Sequence, residues 1–343
     1  MNIHIIQTGG TIGSERRRDG VLSARRDGRA GLGDIRPENA GDGGNGISGG
    51  VPILPEGCGD FRFSYSRPFE ILSENMNPDF WTGLIGHIRS LDFARIGALF
   101  ITHGTDTLAF TSNLLALLLY GIDPPVFLIS SDRPRADARA NGTAHFDAAL
   151  RAARDGIGPG VYVPYRNADG RMHLHAGERL LQPADFSDDF TSVSHPAVND
   201  PSRVTAMIRE ARGREEGDAR PLLYAIRAIS ARIAAIRPYP GIRYDAYDLA
   251  NTDAILHGAY HSFTASDTDI PPYSLTAFAR RAHEKKIEVC FAPILTRPEK
   301  TYESTQNLLR SGLIRPLYDM SFEMAYAYLS LRSDRPPDAV DEG

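Results

Sequence analysis

Short apolar runs alternate with helix-like segments along the first two-thirds of the chain, and this alternation limits the possible folds most strongly. The runs that we predict as strands are Asn2–Gln7, Ile96–Ile101, Val126–Ser130 and Val161–Tyr165. Short, continuously apolar runs are typical of strands buried on both faces of a parallel sheet. Apolar residues at helical spacing predict helices at Asp79–Ser90, Thr107–Tyr120 and Ala138–Arg154. Elements in this order form right-handed βαβ units, so the sequence predicts an α/β fold with a large, doubly wound, mostly parallel sheet.

A second, smaller α/β domain is predicted in the last third of the chain. Its predicted strands are Leu222–Ala228, Arg232–Arg237, Ala254–Gly258 and Ile287–Ala292, and its helices are Ser274–Glu284, Tyr302–Ser311 and Ser321–Leu331. We therefore expect an N-terminal domain at 1–195, a linker at 196–221, a C-terminal domain at 222–332 and a disordered tail at 333–343. The glycine-rich, charged segment Gly28–Gly50 contains almost no large apolar residues. It predicts a flexible lid at about 14–52, and a disordered surface insertion is the plainer alternative.

Composition excludes several classes of protein. A chain of 343 residues with 42% hydrophobic content can bury two cores, and its formal net charge of −5 argues against general nucleic-acid binding. The two cysteines, Cys58 and Cys290, indicate neither a disulfide framework nor a metal-ligand pattern. No signal peptide and no apolar run of membrane-spanning length are visible. We expect a cytoplasmic protein with no membrane partner, no metal and no cofactor.

Two turns rich in hydroxyl groups follow two of the predicted strands. Thr8-Gly9-Gly10-Thr11 follows the first strand, and His103-Gly104-Thr105-Asp106-Thr107 follows the strand at 96–101. Ligands of open α/β sheets bind at the carboxyl ends of strands, so we expect the two turns to contribute to one site. A threonine hydroxyl attacks a carbonyl group when a base takes its proton and backbone N–H groups stabilise the oxyanion. Threonine in a turn more commonly only closes that turn, so the pair of turns, rather than either alone, favours catalysis.

These two motifs, in this order, resemble the signatures of the bacterial asparaginase/glutaminase family. Members of that family are threonine-nucleophile amidohydrolases with a large N-terminal and a small C-terminal α/β domain. The resemblance runs from residue 2 to about residue 331 and is closest to the cytoplasmic type. It implies that Thr11 is the nucleophile, and that Thr105 and Asp106 activate water or the nucleophile and hold the α-amino group of the substrate.

A third stretch, Leu72-Ser73-Glu74-Asn75-Met76, resembles the family's loop for the substrate carboxylate. The resemblance therefore implies that Ser73 and Glu74 contact the substrate. Gly10 and Gly104 are expected to bind it as well, through the backbone N–H groups around them.

The chain departs from the family pattern at a lysine that normally pairs with the signature aspartate. The corresponding position falls on Gln182, or on Leu181 if the alignment shifts by one residue. Neither side chain carries a positive charge or acts as a base. Arg179 supplies a charge nearby, although an arginine stays protonated and cannot serve as a base. An ordinary surface pairing of Arg179 with Glu178 or Asp185 is the other interpretation, and the sequence leaves both open.

A second departure is the stretch Tyr260-His261-Ser262-Phe263-Thr264-Ala265, where the family has a glycine-rich turn with an asparagine. In the family this turn often reaches the neighbouring subunit's site. His261 and Thr264 are therefore candidates for completing a site across a subunit interface, and a homodimer or homotetramer is implied. A histidine in a loop is more commonly a solvated surface residue.

The leading functional prediction is hydrolysis of L-asparagine, or a closely related small amide, to L-aspartate and ammonia through a threonine acyl-enzyme. One alternative keeps the amide chemistry on a modified or peptide-like substrate, including a role as an amidotransferase component. Another alternative is a non-catalytic amino-acid-binding or sensing homologue that has lost the activating lysine.

Overall fold

The computed structural model describes residues 1–10, 61–134, 137–213, 220–297 and 299–332, together with the backbone strand segments 15–16 and 22–23. Its strands are β1 (Asn2–Gln7), β2 (Glu15–Arg16), β3 (Leu22–Ser23), β4 (Arg62–Ser66), β5 (Ala98–Thr102), β6 (Val126–Ile129), β7 (Val161–Arg166), β8 (Met172–Ala176), β9 (Leu180–Leu181), β10 (Thr191–Ser192), β11 (Ile233–Ile236), β12 (Ala254–Gly258), β13 (Glu288–Ile294) and β14 (Ile314–Tyr318). Its helices are α1 (Pro78–Arg89), α2 (Leu108–Leu118), α3 (Gly142–Arg154), α4 (Pro201–Ala211), α5 (Leu222–Ala225), α6 (Leu275–Glu284), α7 (Glu303–Arg310) and α8 (Phe322–Leu331). None of the helices in these ranges combines the length and the apolar character that a membrane span requires.

The chain divides into two compact units. The first comprises Met1–Ser192 with Ala219–Ala228, and the second comprises Val193–Asp218 with Ile229–Gly343. Each unit is built on a mostly or wholly parallel sheet with helices against it, which confirms the predicted α/β class. The segment 219–228 belongs to the first unit by its contacts, although the sequence placed 222–228 in the C-terminal domain.

The main sheet of the first unit has the strand order β4-β1-β5-β6-β7-β8 among the described strands. All neighbours are parallel except β7 and β8, which form an antiparallel pair. The chain passes from β1 to β4 on one side and returns through α1 to β5 on the other side. The carboxyl end of β1 is therefore flanked by β4 and β5, at the point where the strand order reverses. Open α/β sheets bind ligands at such a point.

The buried faces of the main sheet explain why these runs form strands. The side chains of β5 and β6 are fully buried, as expected for strands covered on both faces. On one face Phe100 meets the rings of Phe127 and Phe146, each with centroids 5.2 Å apart and in edge-on geometry. This aromatic cluster fastens α3 to the sheet, so the carboxyl ends of the strands lie on a rigid support.

Side-chain caps fix the starts of two helices. The side chain of Asn77 accepts hydrogen bonds from the N–H groups of Asp79 and Phe80, with Pro78 in the first helical turn of α1. The hydroxyl of Ser321 accepts from the N–H of Met324 at the start of α8. Each cap satisfies backbone N–H groups that have no partner within the helix.

The sequence missed β4 and β14 at the edges of the larger sheets, and one predicted strand was wrong. Strand β4 alternates polar residues with Phe63 and Tyr65, so it lacks the continuous apolar run of its neighbours. Strand β14 contains Pro316 and lies at the edge of its sheet, where proline is tolerated. The segment 222–228 contains the short helix α5 (Leu222–Ala225) and no strand, and Leu222 and Leu223 are completely buried there. A short apolar run does not distinguish a strand from a buried helix.

The second unit carries a parallel sheet of order β11-β12-β13-β14 among the described strands. Its core lies under the aromatic side chains of Tyr244, Phe278 and Phe291, which are almost completely buried. His257 at the end of β12 accepts a 2.8 Å hydrogen bond from the hydroxyl of Tyr244 through Nε2. This interior polar pair is satisfied, so it fixes the carboxyl end of β12.

Candidate active site

The turn after β1 is held by backbone contacts on both sides of the strand. The N–H of Gly10 donates to the carbonyl of Ile71 at 2.9 Å, and the N–H of Ile71 donates to the carbonyl of Thr8 at 3.0 Å. The hydroxyl of Thr8 donates to the carbonyl of Thr102, the last residue of β5, at 2.5 Å. The Thr8–Gly10 segment is therefore fixed between the segment that follows β4 and the last residue of β5.

Glycine is required at two positions of this turn. Gly9 and Gly10 have φ angles of +104° and +80°, which side chains of L-residues rarely adopt. A Cβ atom on Gly10 would lie 2.4 Å from the backbone nitrogen of Gly104, and a Cβ on Gly104 would lie 2.4 Å from Oγ of Ser73. The turn after β1, the turn after β5 and the 3₁₀ turn Ser73–Asn75 are thus in direct contact. The two turns that the sequence predicted at one sheet edge lie against each other.

Asp106 is tied to Ser73 by two hydrogen bonds. The hydroxyl of Ser73 donates to Oδ2 of Asp106 at 2.7 Å and accepts from the N–H of Asp106 at 3.2 Å. The hydroxyl of Thr107 donates to the carbonyl of Ser73 at 2.9 Å, which closes the contact between the two turns. Ser73 is buried, whereas Asp106 is exposed and Thr105 is half-buried. A fixed carboxylate with one oxygen bonded to Ser73 retains capacity for a cationic ligand group.

The histidine that opens the second turn is neutral. His103 is buried, and its Nδ1–H donates to the carbonyl of Gly104 at 2.7 Å. Burial lowers the pKa of His103 to about 4. The ring therefore remains uncharged at neutral pH and stabilises the bend of the turn at Gly104. The sequence motif contained this residue, but nothing in the motif distinguished its structural contact from a catalytic one.

Gln182 lies at the second turn. Its Nε2 donates to the backbone carbonyl of Asp106 at 2.5 Å, and its Oε1 accepts from the N–H of Ala109 at 3.3 Å. The residue that the resemblance placed at the lysine position thus contacts the same turn as the signature aspartate. Arg179 lies in the preceding 3₁₀ turn, Gly177–Arg179, and Leu181 lies in β9.

The remaining predicted site residues fall into two groups. Thr11 and most of the predicted lid at 14–52 lie outside the described residues, as does the predicted tail at 333–343. Glu74 is exposed in the 3₁₀ turn beside Ser73. His261 and Thr264 belong to the second unit, where His261 is exposed and Oγ1 of Thr264 lies 2.9 Å from Oγ of Ser262.

The described ranges contain no group of three or more His, Cys, Asp or Glu side chains arranged to hold a metal ion. The polar groups at the junction of the two turns are hydroxyls, backbone amides, one carboxylate and one carboxamide. This set suits the recognition of a small polar molecule that carries an ammonium group and a carbonyl group.

The fold defines a two-unit α/β protein with a cluster of hydrogen-bonded polar groups at the switch point of its larger sheet. The family model described as "Asparaginase, N-terminal" matches residues 2–210. The chain belongs to the asparaginase family, and its fold is that of the amidohydrolases in this family.

The chain is also similar to individual proteins. A glutamyl-tRNA(Gln) amidotransferase subunit from Aeropyrum pernix is 28% identical over 277 residues, which cover 76% of this chain and 62% of the relative. The chain thus spans less than two-thirds of that relative's length. The solved structure of the thermostable L-asparaginase from Thermococcus kodakarensis superposes with a TM-score of 0.64 at 21% identity, covering 98% of this chain and 94% of the other. L-asparaginase I from Vibrio cholerae gives a TM-score of 0.61 at 24% identity, with 96% and 92% coverage. These two structures share the fold.

Proposed function

We propose that this protein hydrolyses L-asparagine, or a closely related small amide, to the corresponding acid and ammonia through a threonine acyl-enzyme. The observation that carries the proposal is the direct contact between the Gly10 turn and the Gly104 turn, with Asp106 fixed by Ser73 beside it. In the proposed reaction, the hydroxyl oxygen of Thr11 attacks the amide carbon and its proton passes to a base. The tetrahedral intermediate collapses, ammonia leaves with a proton, and an ester remains on Thr11. Water near Thr105 and Asp106 then attacks the ester and releases the acid.

The oxyanion of this reaction needs backbone donors other than Gly10. The N–H of Gly10 is already bonded to the carbonyl of Ile71, so it cannot also stabilise the developing charge at full strength. We assign this role to the backbone N–H groups around Gly104, in the turn that lies against Gly10. The substrate α-ammonium group would bind Asp106 and Glu74, and its α-carboxylate would lie near Ser73.

We include in this proposal a cytoplasmic homodimer or homotetramer without a cofactor or metal. The only cysteine in the described ranges, Cys290, is buried and unbridged, in keeping with a reducing compartment. His261 and Thr264 would then face the site of a neighbouring subunit. A separate substitution of each residue would test this role by its effect on KM.

The decisive experiment replaces the proposed nucleophile. Thr11→Ala should abolish ammonia release from asparagine and glutamine, because the variant lacks the hydroxyl oxygen proposed to attack the amide carbon. Thr11→Ser should retain measurable turnover, since the attacking oxygen remains. Unfolding followed through Trp81 fluorescence shows whether each variant is folded. Undiminished ammonia release from folded Thr11→Ala protein would refute the threonine mechanism.

A second candidate function is favoured by the curated relatives, which are named as subunits of an amidotransferase. In this case the same site would release ammonia from a different amide, and asparagine would be a poor substrate. A third candidate is an amino-acid-binding protein without turnover, which the neutral residue Gln182 favours. Ammonia release from a library of amides separates the first two candidates, and calorimetry with aspartate identifies a binder that releases no ammonia.

A further inference from the structure

The side chain of Gln182 bridges two backbone groups on opposite sides of the N-terminus of α2. Its Nε2 donates to the carbonyl of Asp106, and its Oε1 accepts from the N–H of Ala109. Helix α2 begins at Leu108, so the N–H of Ala109 is among the amides that no intrahelical carbonyl satisfies. The N-cap residue Thr107 provides no side-chain cap. Gln182 therefore caps α2 from a segment 73 residues away in sequence.

The segment that carries Gln182 is itself fastened to α2. The hydroxyl of Ser112 donates to the carbonyl of Gly177 at 3.0 Å, and Nδ2 of Asn113 donates to the carbonyl of Leu180 at 2.9 Å. Ser112 and Asn113 are completely buried, so these contacts are shielded from water. The carboxamide of Gln182 is thus presented from a fixed backbone rather than from a free loop.

Three polar groups of Asp106 are consequently fixed by hydrogen bonds. Ser73 binds its N–H and one carboxylate oxygen, and Gln182 binds its carbonyl oxygen. Fixing both ends of the residue sets the direction of the carboxylate. A carboxamide provides a donor and an acceptor at once, whereas lysine provides only a donor and glutamate only an acceptor. Asparagine is one methylene group too short to keep the same reach.

We propose that Gln182 is a positioning residue that holds Asp106 for recognition of a substrate or product α-ammonium group. This inference rests on the proposed function only in assigning the ammonium group to Asp106. Gln182 acts through the backbone carbonyl of Asp106 and does not itself touch the ligand. The hydrogen bond that Nε2 donates to the Asp106 carbonyl, here called the donor arm, is the one that matters for recognition. The hydrogen bond that Oε1 accepts from Ala109, here called the acceptor arm, caps the helix.

Calorimetry on the full chain with aspartate and succinate tests this inference without requiring turnover. The two ligands differ only in the α-ammonium group. Gln182→Met removes both polar arms at a similar side-chain volume. We expect this variant to bind aspartate about five- to tenfold more weakly, which equals about 1–1.4 kcal/mol at 1.4 kcal/mol per tenfold. Succinate binding should change less than twofold.

Two further variants separate the arms of the carboxamide. Gln182→Lys keeps a donor for the Asp106 carbonyl, so it should restore most of the preference for aspartate over succinate. Gln182→Glu keeps only the acceptor and places a carboxylate beside that carbonyl, so it should lose at least as much preference as Gln182→Met. Ser112→Ala is the matched control, because it loosens the same segment against α2 without touching Asp106. The ratio of the aspartate to the succinate affinity should not change in this control.

Several outcomes would overturn the inference. Equal weakening of aspartate and succinate in Gln182→Met would show a general structural effect. A Gln182→Lys variant as defective as Gln182→Met would refute the donor arm, as would wild-type protein that binds aspartate no better than succinate. If Gln182→Met does not fold, the Gln182→Lys and Gln182→Glu pair decides the question. Wild-type protein that releases no ammonia yet shows the predicted aspartate effects would refute the proposed hydrolysis and leave the positioning role intact.

Discussion

Replacing Gly10 by alanine tests whether the contact between the two turns holds the site together. Two costs add in Gly10→Ala. The φ angle of +80° places alanine in the left-handed region, which costs about 1–2 kcal/mol. The new Cβ would also lie 2.4 Å from the nitrogen of Gly104 and 2.6 Å from the carbonyl carbon of His103. These atoms belong to a backbone that cannot rotate away.

The structure offers a control that isolates the second cost. Gly156, which follows α3 in the same unit, also has a φ of +80°, but a Cβ there would meet nothing within 4 Å. Gly156→Ala should therefore cost only the conformational term of about 1–2 kcal/mol. Ordinary contact begins at 3.4 Å, so Gly10→Ala must move the two turns apart by roughly 1 Å. Overpacking of this kind adds about 1–3 kcal/mol, and Gly10→Ala should cost about 2–5 kcal/mol in total.

Chemical denaturation followed by tryptophan fluorescence measures these costs in the first unit alone. Trp81 is the single tryptophan of the chain, and it is buried in α1 of that unit. The folded fraction of Gly10→Ala should also lose ammonia release by up to about 100-fold, because a displacement of about 1 Å misplaces the reacting groups. Equal losses of stability in Gly10→Ala and Gly156→Ala would refute the direct contact between the turns.

Two further predictions concern buried polar groups of the first unit, and the fluorescence of Trp81 reports both. Nε1 of Trp81 donates to Oγ1 of Thr111 at 3.0 Å, so Thr111→Val removes this buried hydrogen bond and should destabilise the unit by about 1–3 kcal/mol; a cost below that of Thr111→Ser would contradict this account. Burial lowers the pKa of His145 from 6.5 to about 4, and its Nε2 accepts from the N–H of Arg166 at 2.8 Å. The unfolded chain binds this proton more readily, so the stability from neutral His145 is complete above pH 6.5 and is lost as the pH falls toward 4. The loss should approach about 3 kcal/mol for this residue, and His145→Gln should flatten the pH dependence; an unchanged slope would contradict the assignment.

The sequence predicted the main sheet of the first unit well because its central strands are buried on both faces. Strands β5 and β6 are short, almost wholly apolar runs, and they pair in parallel as expected for strands joined by a helix. Strand β4 was missed because it lies at the sheet edge and alternates exposed residues with the partly buried Phe63 and Tyr65, so it has no continuous apolar run. The strand predicted at 222–228 was wrong for a different reason. Its leucines are buried against helices rather than in a sheet, and local sequence does not record which surface covers them.

The candidate site was predictable in its glycines and not in its long-range contacts. Paired glycines after a first strand predict a bend and a close approach, and Gly9 and Gly10 provide both. The resemblance placed Ser73 at the substrate, but its bond to Asp106 joins residues 33 positions apart. The contact of Gln182 with the second turn depends on how β9 is fastened to α2. No local pattern encodes that arrangement, since the side chains responsible lie within an apolar helix.

Recognition of an amino acid and hydrolysis of its amide are separable in this arrangement. Asp106 is oriented by Ser73 and Gln182, and neither contact involves the residue proposed to attack the amide. Loss of the Thr11 hydroxyl should therefore abolish ammonia release while aspartate still binds better than succinate. Loss of the Gln182 donor should do the reverse, reducing the preference for the ammonium group while the attacking hydroxyl remains. If both substitutions removed both properties together, the two turns would act as a single cooperative element, and the separate roles assigned to them would be wrong.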